Sequence, residues 1–163
     1  MRRAALCLLA ALAAFAAEDP GGWTKAKWGM TDDQLLAAFP EQAVRLDPPE
    51  QNGARVAIRS IDLAGAKFDV YFIPSDAGLR KVVLTAQHQP ATSLDFLFQT
   101  VQNLLVDKYG RPWRSDESAA TSLQWSFPTT TIVFDRMRVS GFGTQFLSLI
   151  YTRKSPSPTS DNL

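Results

Sequence analysis

Residues 67–73 read Lys67-Phe68-Asp69-Val70-Tyr71-Phe72-Ile73, with Phe68, Val70 and Phe72 on one side of a two-residue period and Lys67, Asp69 and Tyr71 on the other. Such alternation suits a half-buried β-strand and little else. It recurs along the chain. Arg55-Val56-Ala57-Ile58-Arg59-Ser60-Ile61 alternates before it, and Leu79 to Gln87 forms a third run after it. Leu63-Ala64-Gly65-Ala66 and Pro74-Ser75-Asp76-Ala77-Gly78 have turn composition, so the three runs are expected to form an antiparallel meander. A second set follows, in which Leu123, Trp125 and Phe127 alternate with Ser122, Gln124 and Ser126. Thr130 to Asp135 and Thr144 to Thr152 complete it, with Gly141-Phe142-Gly143 bending the connection. Two stretches read as non-strand: a breaker-rich linker from Asp47-Pro48-Pro49 to Gly53, and a polar loop from Arg114 to Ala120.

Each strand set is preceded by a helix signal. Thr31-Asp32-Asp33-Gln34 fits a capping box, Met30 and Leu35 have staple spacing, and the two aspartates suit the positive end of the helix dipole. Leu35, Leu36 and Phe39 form one face, and Pro40 stops this helix after about two turns. The second helix is longer. Thr92 or Ser93 caps it, and Leu94, Leu97, Phe98, Val101, Leu104, Leu105 and Tyr109 recur at three and four. Lys108 lies in its last turn, Gly110 supplies a left-handed stop and Pro112 forbids continuation.

The N-terminus reads as an address. Met1-Arg2-Arg3 is positive, Ala4 to Ala16 carries no charge, and Ala14-Phe15-Ala16 has the small-x-small pattern read by signal peptidase. A signal peptide over 1–16 with cleavage between Ala16 and Ala17 is the expectation. The alternative, a membrane anchor, is opposed by an apolar stretch shorter than the ~20 residues a span needs. The only cysteine, Cys7, sits inside that stretch, so neither lipidation after cleavage nor a disulfide is expected. A periplasmic or secreted protein results, with no stable membrane span after cleavage. One domain is expected over 17–154, with halves at about 23–90 and 91–154, then a polar tail over 155–163.

Little catalytic equipment is present. The 17 Lys+Arg against 16 Asp+Glu leave no basic excess for nucleic acid. One histidine, His88 in Gln87-His88-Gln89-Pro90, cannot build a zinc site of the His/Cys type, and no serine stands in a Gly-x-Ser-x-Gly context. Asp32/Asp33 and Asp116/Glu117 are sequence neighbours, which do not face each other across a substrate. No cofactor, metal or catalytic residue is therefore expected. The most suggestive surface candidates are Trp113 with Arg111 and Arg114, together with Phe142 between its glycines. Trp flanked by Arg can grip an anionic or aromatic partner through cation–π contact. The plainer reading, which these residue types favour, folds Trp113 back over the helix end and leaves the arginines, with Arg136, Arg138, Arg153 and Lys154, solvated.

Trp28-Gly29-Met30-Thr31-Asp32-Asp33-Gln34-Leu35 and Tyr109-Gly110-Arg111-Pro112 resemble the opening and the later Tyr-Gly-x-Pro of small uncharacterised periplasmic proteins. More distantly they are similar to the SmpA/OmlA (BamE-like) lipoprotein domain and to β-lactamase-inhibitory-protein-like domains. This chain departs from the lipoprotein pattern in lacking the lipidation cysteine and in carrying Phe39-Pro40-Glu41 where Leu-Gly-x-Pro is usual. The resemblance implies a small envelope domain that binds another protein without catalysis.

The element order read along the chain is helix–strand–strand–strand, twice. It predicts an α+β fold of two consecutive helix–β-meander units, αβββ-αβββ, with helices on one face of antiparallel sheet. The expected function is a non-enzymatic envelope protein that binds another envelope protein or a cell-wall component. The alternative is a carrier of a small apolar or lipid-like ligand in a sheet–helix cavity, for which 10 Phe and 4 Trp supply lining.

Overall fold

A computed structural model describes residues 17–87, 91–139 and 144–155. The sequence-based expectation of an α+β fold is overturned: the molecule is mostly β, 54% strand against 19% helix. The six strands expected in two αβββ units are instead eight strands of one continuous antiparallel sheet. Its members are β3 (Ala43–Glu50), β4 (Ala54–Leu63), β5 (Ala66–Ser75), β6 (Gly78–Ala86), β7 (Trp113–Asp116), β8 (Ala120–Ser126), β9 (Thr130–Val139) and β10 (Thr144–Arg153), in spatial order β3-β4-β5-β6-β10-β9-β8-β7. A two-stranded ribbon, β1 (Gly22–Trp23) and β2 (Ala26–Lys27), precedes them. The helices are α1 (Asp32–Ala38) and α2 (Ala91–Tyr109).

The two additional strands occupy the two edges, where the missed stretches lie. Asp47-Pro48-Pro49, expected as linker, is the second half of β3, with a cis Asp47–Pro48 peptide. Proline is tolerated there because an edge strand leaves half its backbone groups unpaired. Arg114–Asp116, expected as loop, belongs to β7 and pairs with β8 from Trp113↔Gln124 to Asp116↔Thr121.

Local chemistry shapes the helix ends. The Gln34 N–H donates to Thr31 Oγ1 at 3.3 Å and the Thr31 N–H donates to Gln34 Oε1 at 2.9 Å, the reciprocal pair of a capping box. α2 is described as Ala91–Tyr109, with Ser93 in its first turn. It stops at Gly110, where φ is +78° and the N–H donates to the Val106 carbonyl.

Both helices bury their apolar stripes against the same sheet face. Leu35 of α1, Phe39 at its C-cap, and Leu94, Leu97, Phe98, Val101 and Leu105 of α2 share one cluster with Val56, Phe68, Val70, Phe72, Leu84, Leu123, Phe134 and Leu149. Phe98 stacks on Phe134 with ring centres 4.9 Å apart. Burying side chains of this size contributes roughly 1.5–3 kcal/mol each, so this layer dominates folding. The two meanders meet at β6–β10, with Val82 opposite Tyr151 and Leu84 opposite Leu149. Trp28 ties them again: its indole N–H donates at 2.9 Å to Oγ1 of the fully buried Thr130, 102 residues away. Among the described residues no helix is long and apolar enough to cross a membrane. His88, the Gly141-Phe142-Gly143 bend and the tail from 156 lie outside the described residues.

Candidate functional site

Among the described residues, neither helix packs on the opposite face of the sheet. Pairing registers trace one row of side chains across all eight strands of that face: Val44↔Ala57, Ala57↔Tyr71, Tyr71↔Val83, Val83↔Ile150, Ile150↔Val133, Val133↔Gln124 and Gln124↔Trp113. With strands ~4.8 Å apart, seven intervals make the row about 34 Å long. Gln124 is its only strongly polar member.

The two ends of this face differ. On the β3–β5 side, Ala57 and Tyr71 are buried in a small cluster with Leu46, Ala54 and Ile73. Arg59 closes it: the guanidinium carbon lies 5.0 Å from the Tyr71 ring centre, and Nη1 donates to Tyr71 Oη at 2.6 Å. Glu50 holds the same guanidinium at 2.7 Å, and hydrogen bonding to Glu50 is the largest influence raising the Arg59 pKa. On the β6–β7 side no such closure exists among the described residues. Val83, Ile150 and Val133 are part-exposed, and Trp113 is 64% exposed at the edge. A polar row, Thr85–Ser148–Asp135–Ser122–Ser115, separates this strip from the exposed cross-strand pair Phe146↔Met137. Apolar side chains alternating with hydroxyls suit a protein interface, which resembles the rest of a protein's surface in overall polarity and is distinguished by its buried apolar and aromatic centre.

The candidates from sequence are placed unevenly. Trp113 does not fold back over the end of α2. That position is taken by Trp125, whose indole N–H donates to the Gly110 carbonyl at 2.7 Å while its ring packs on Tyr109. Arg114 pairs opposite Leu123, a core residue, so strand alternation turns it away from the face that carries Trp113. Asp116 holds Arg114 at 2.6 and 3.0 Å, and this contact raises the guanidinium pKa and lowers that of the carboxyl. Arg111 is exposed just before β7, and Phe142 lies outside the described residues. Arg136 is on the helix side, bonded to Asp95 and stacked 4.6 Å from the Phe98 ring centre. Arg138 also lies near Asp95, and Lys154 donates to Ser126 Oγ.

Val83, Val133 and Ile150 were missed as surface candidates because strand-period reading assigns them only to the weaker face of each run. Their signal was available in pairing register, which a single sequence does not carry. Asp32 and Asp33 face Arg45 and Arg55, and no group of three or more His, Cys, Asp or Glu among the described residues could hold a metal ion. No protein-family model, curated protein or solved structure matches this chain.

Proposed function

We propose that this chain is an exported, non-enzymatic binding module of the cell envelope that engages another protein through the helix-free face of its sheet. The observation that carries the reading is the apolar row from Val83 through Ile150 and Val133 to Trp113, part-exposed on a face that neither helix covers. Trp is among the residue types in which interface hot spots are enriched. Export through residues 1–16 is supported by the positive start, the uncharged stretch and the small-x-small pattern before Ala17. Placement in the envelope is supported by the likeness of Trp28–Leu35 and Tyr109–Pro112 to motifs of small periplasmic proteins.

A photo-crosslinking residue at Gln124, between Val133 and Trp113 in the row, tests this in the native envelope. A discrete protein adduct is expected, absent when the same residue is placed at Asn103 on the outside of α2. Val133→Lys with Ile150→Lys should suppress the adduct while leaving the far-UV spectrum unchanged. Equal labelling from Asn103, or an adduct indifferent to the lysines, refutes the assignment.

A further inference from the structure

Leu104 repeats the helical spacing of the core, yet it is 49% exposed on α2. It stands at the rim of a cleft of about 300 Å³ between α2 and the first half of the molecule. The floor is Leu84 and Leu149 of the sheet, one wall is Leu104 and Leu105, and the other is Ile61 and Leu63 at the end of β4. Trp23, Thr24, Lys108 and Tyr151 line this cleft and also a second, more polar one of about 310 Å³ beside it. Lys27 and Tyr109 belong to the polar neighbour. An apolar slot therefore opens beside a polar chamber, with Lys108 common to both.

Of the two charged side chains that line the apolar slot, Asp62 and Lys108, only Lys108 has no ionic partner among the described residues. Lys108 lies with its ammonium 5.1 Å from the Tyr109 ring centre, and among the described residues no carboxylate comes within 4.0 Å of it. The acids nearby are mostly engaged. Asp62 pairs with Lys67 at 2.7 Å, and Asp19 accepts from the backbone N–H groups of Gly21 and Thr129. Glu18 is exposed and has no such partner among the described residues. Tyr151 is buried and lines both clefts, while Tyr109 lines the polar chamber.

We propose that this cleft binds a single-chain amphiphile with a carboxylate head: the alkyl chain lies between α2 and β4, and the head meets Lys108. At about 30 Å³ for a group the size of water, 300 Å³ holds a chain of about ten carbons. The site is on the helix side of the sheet, opposite the proposed protein-binding face, so neither assignment depends on the other.

Titration of the whole chain with decanoate, decanol and decyltrimethylammonium below their micellar concentrations, read by tryptophan fluorescence and calorimetry, tests the proposal. Saturable one-to-one binding of decanoate is expected, about tenfold tighter than decanol and with the cation weakest. Lys108→Gln should bring decanoate to parity with decanol while leaving decanol unchanged. Leu104→Asn, at a half-exposed position, should weaken both. Absence of saturable binding, equal affinity for the three head groups, or a decanoate preference that survives Lys108→Gln overturns it.

Discussion

Tyr151 is nearly fully buried between α2 and the sheet, and burial, then the neighbouring Tyr109 and its hydrogen bond, push its pKa well above the usual tyrosine value. The folded state therefore resists ionisation that the unfolded chain undergoes near pH 10. Its contribution to stability is complete below that pH and declines as pH rises toward the higher folded value. Wild type should lose on the order of 1 kcal/mol between pH 8 and pH 11 from this one group, and Tyr151→Phe should lose correspondingly less. Urea midpoints at pH 8 and pH 11 measure it; an identical alkaline loss in both proteins refutes the effect. Residue identity was readable from sequence where the partner is local. Thr31 and Gln34 cap each other three residues apart, as their types require. Trp113 and Trp125 were not separable that way, because which indole seals the end of α2 depends on sheet pairing: Trp125 reaches back 15 residues to Gly110.

Turns and edges differ in how legible they are. Ala64 and Gly65 both have positive φ, the requirement of a two-residue hairpin whose ends are Leu63 and Ala66, and the composition of that stretch already marked a turn. Gly78 carries more than a turn. Its φ is +82°, and an added Cβ would meet the Gly29 carbonyl oxygen 2.2 Å away. That contact sits where Gly29 N–H donates to the Leu79 carbonyl and Leu79 N–H donates to the Met30 carbonyl, locking the chain before α1 onto the β5–β6 hairpin. Gly53 has φ +89° with nothing within 4 Å of an added Cβ. Gly78→Ala is therefore expected to cost clearly more than Gly53→Ala, and more than about 1 kcal/mol, in denaturant titrations. Equal costs would mean the hairpin can part from Gly29 freely. The edge strands β3 and β7 were hidden for a physical reason. Each satisfies only one side of its ladder and buries little, so prolines in one and charges in the other do not disqualify them.

At the scale of the molecule, the halves share a continuous hydrogen-bonded seam at β6–β10, one apolar layer beneath both helices, and the Trp28–Thr130 bond. Separating them would expose Leu84, Leu149 and Tyr151 together. One cooperative unfolding transition is expected, with coincident urea curves from far-UV circular dichroism and tryptophan fluorescence. The fluorescence reads both halves, since Trp23 and Trp28 lie in the first and Trp113 and Trp125 in the second. Two separated transitions would show that the seam is weaker than each meander.

Periodicity and caps indicate from sequence alone the helix-facing residues of β5 and β8, where α2 ends and how α1 starts, because those depend on residues a few positions apart. Only the tertiary structure decides that eight strands join in one sheet, that Leu104 borders a cleft, and that Val83, Ile150 and Val133 line up across three strands. Exposure depends on what stands beside and opposite a side chain, and that neighbour is brought there by pairings between residues as distant in sequence as Val83 and Ile150.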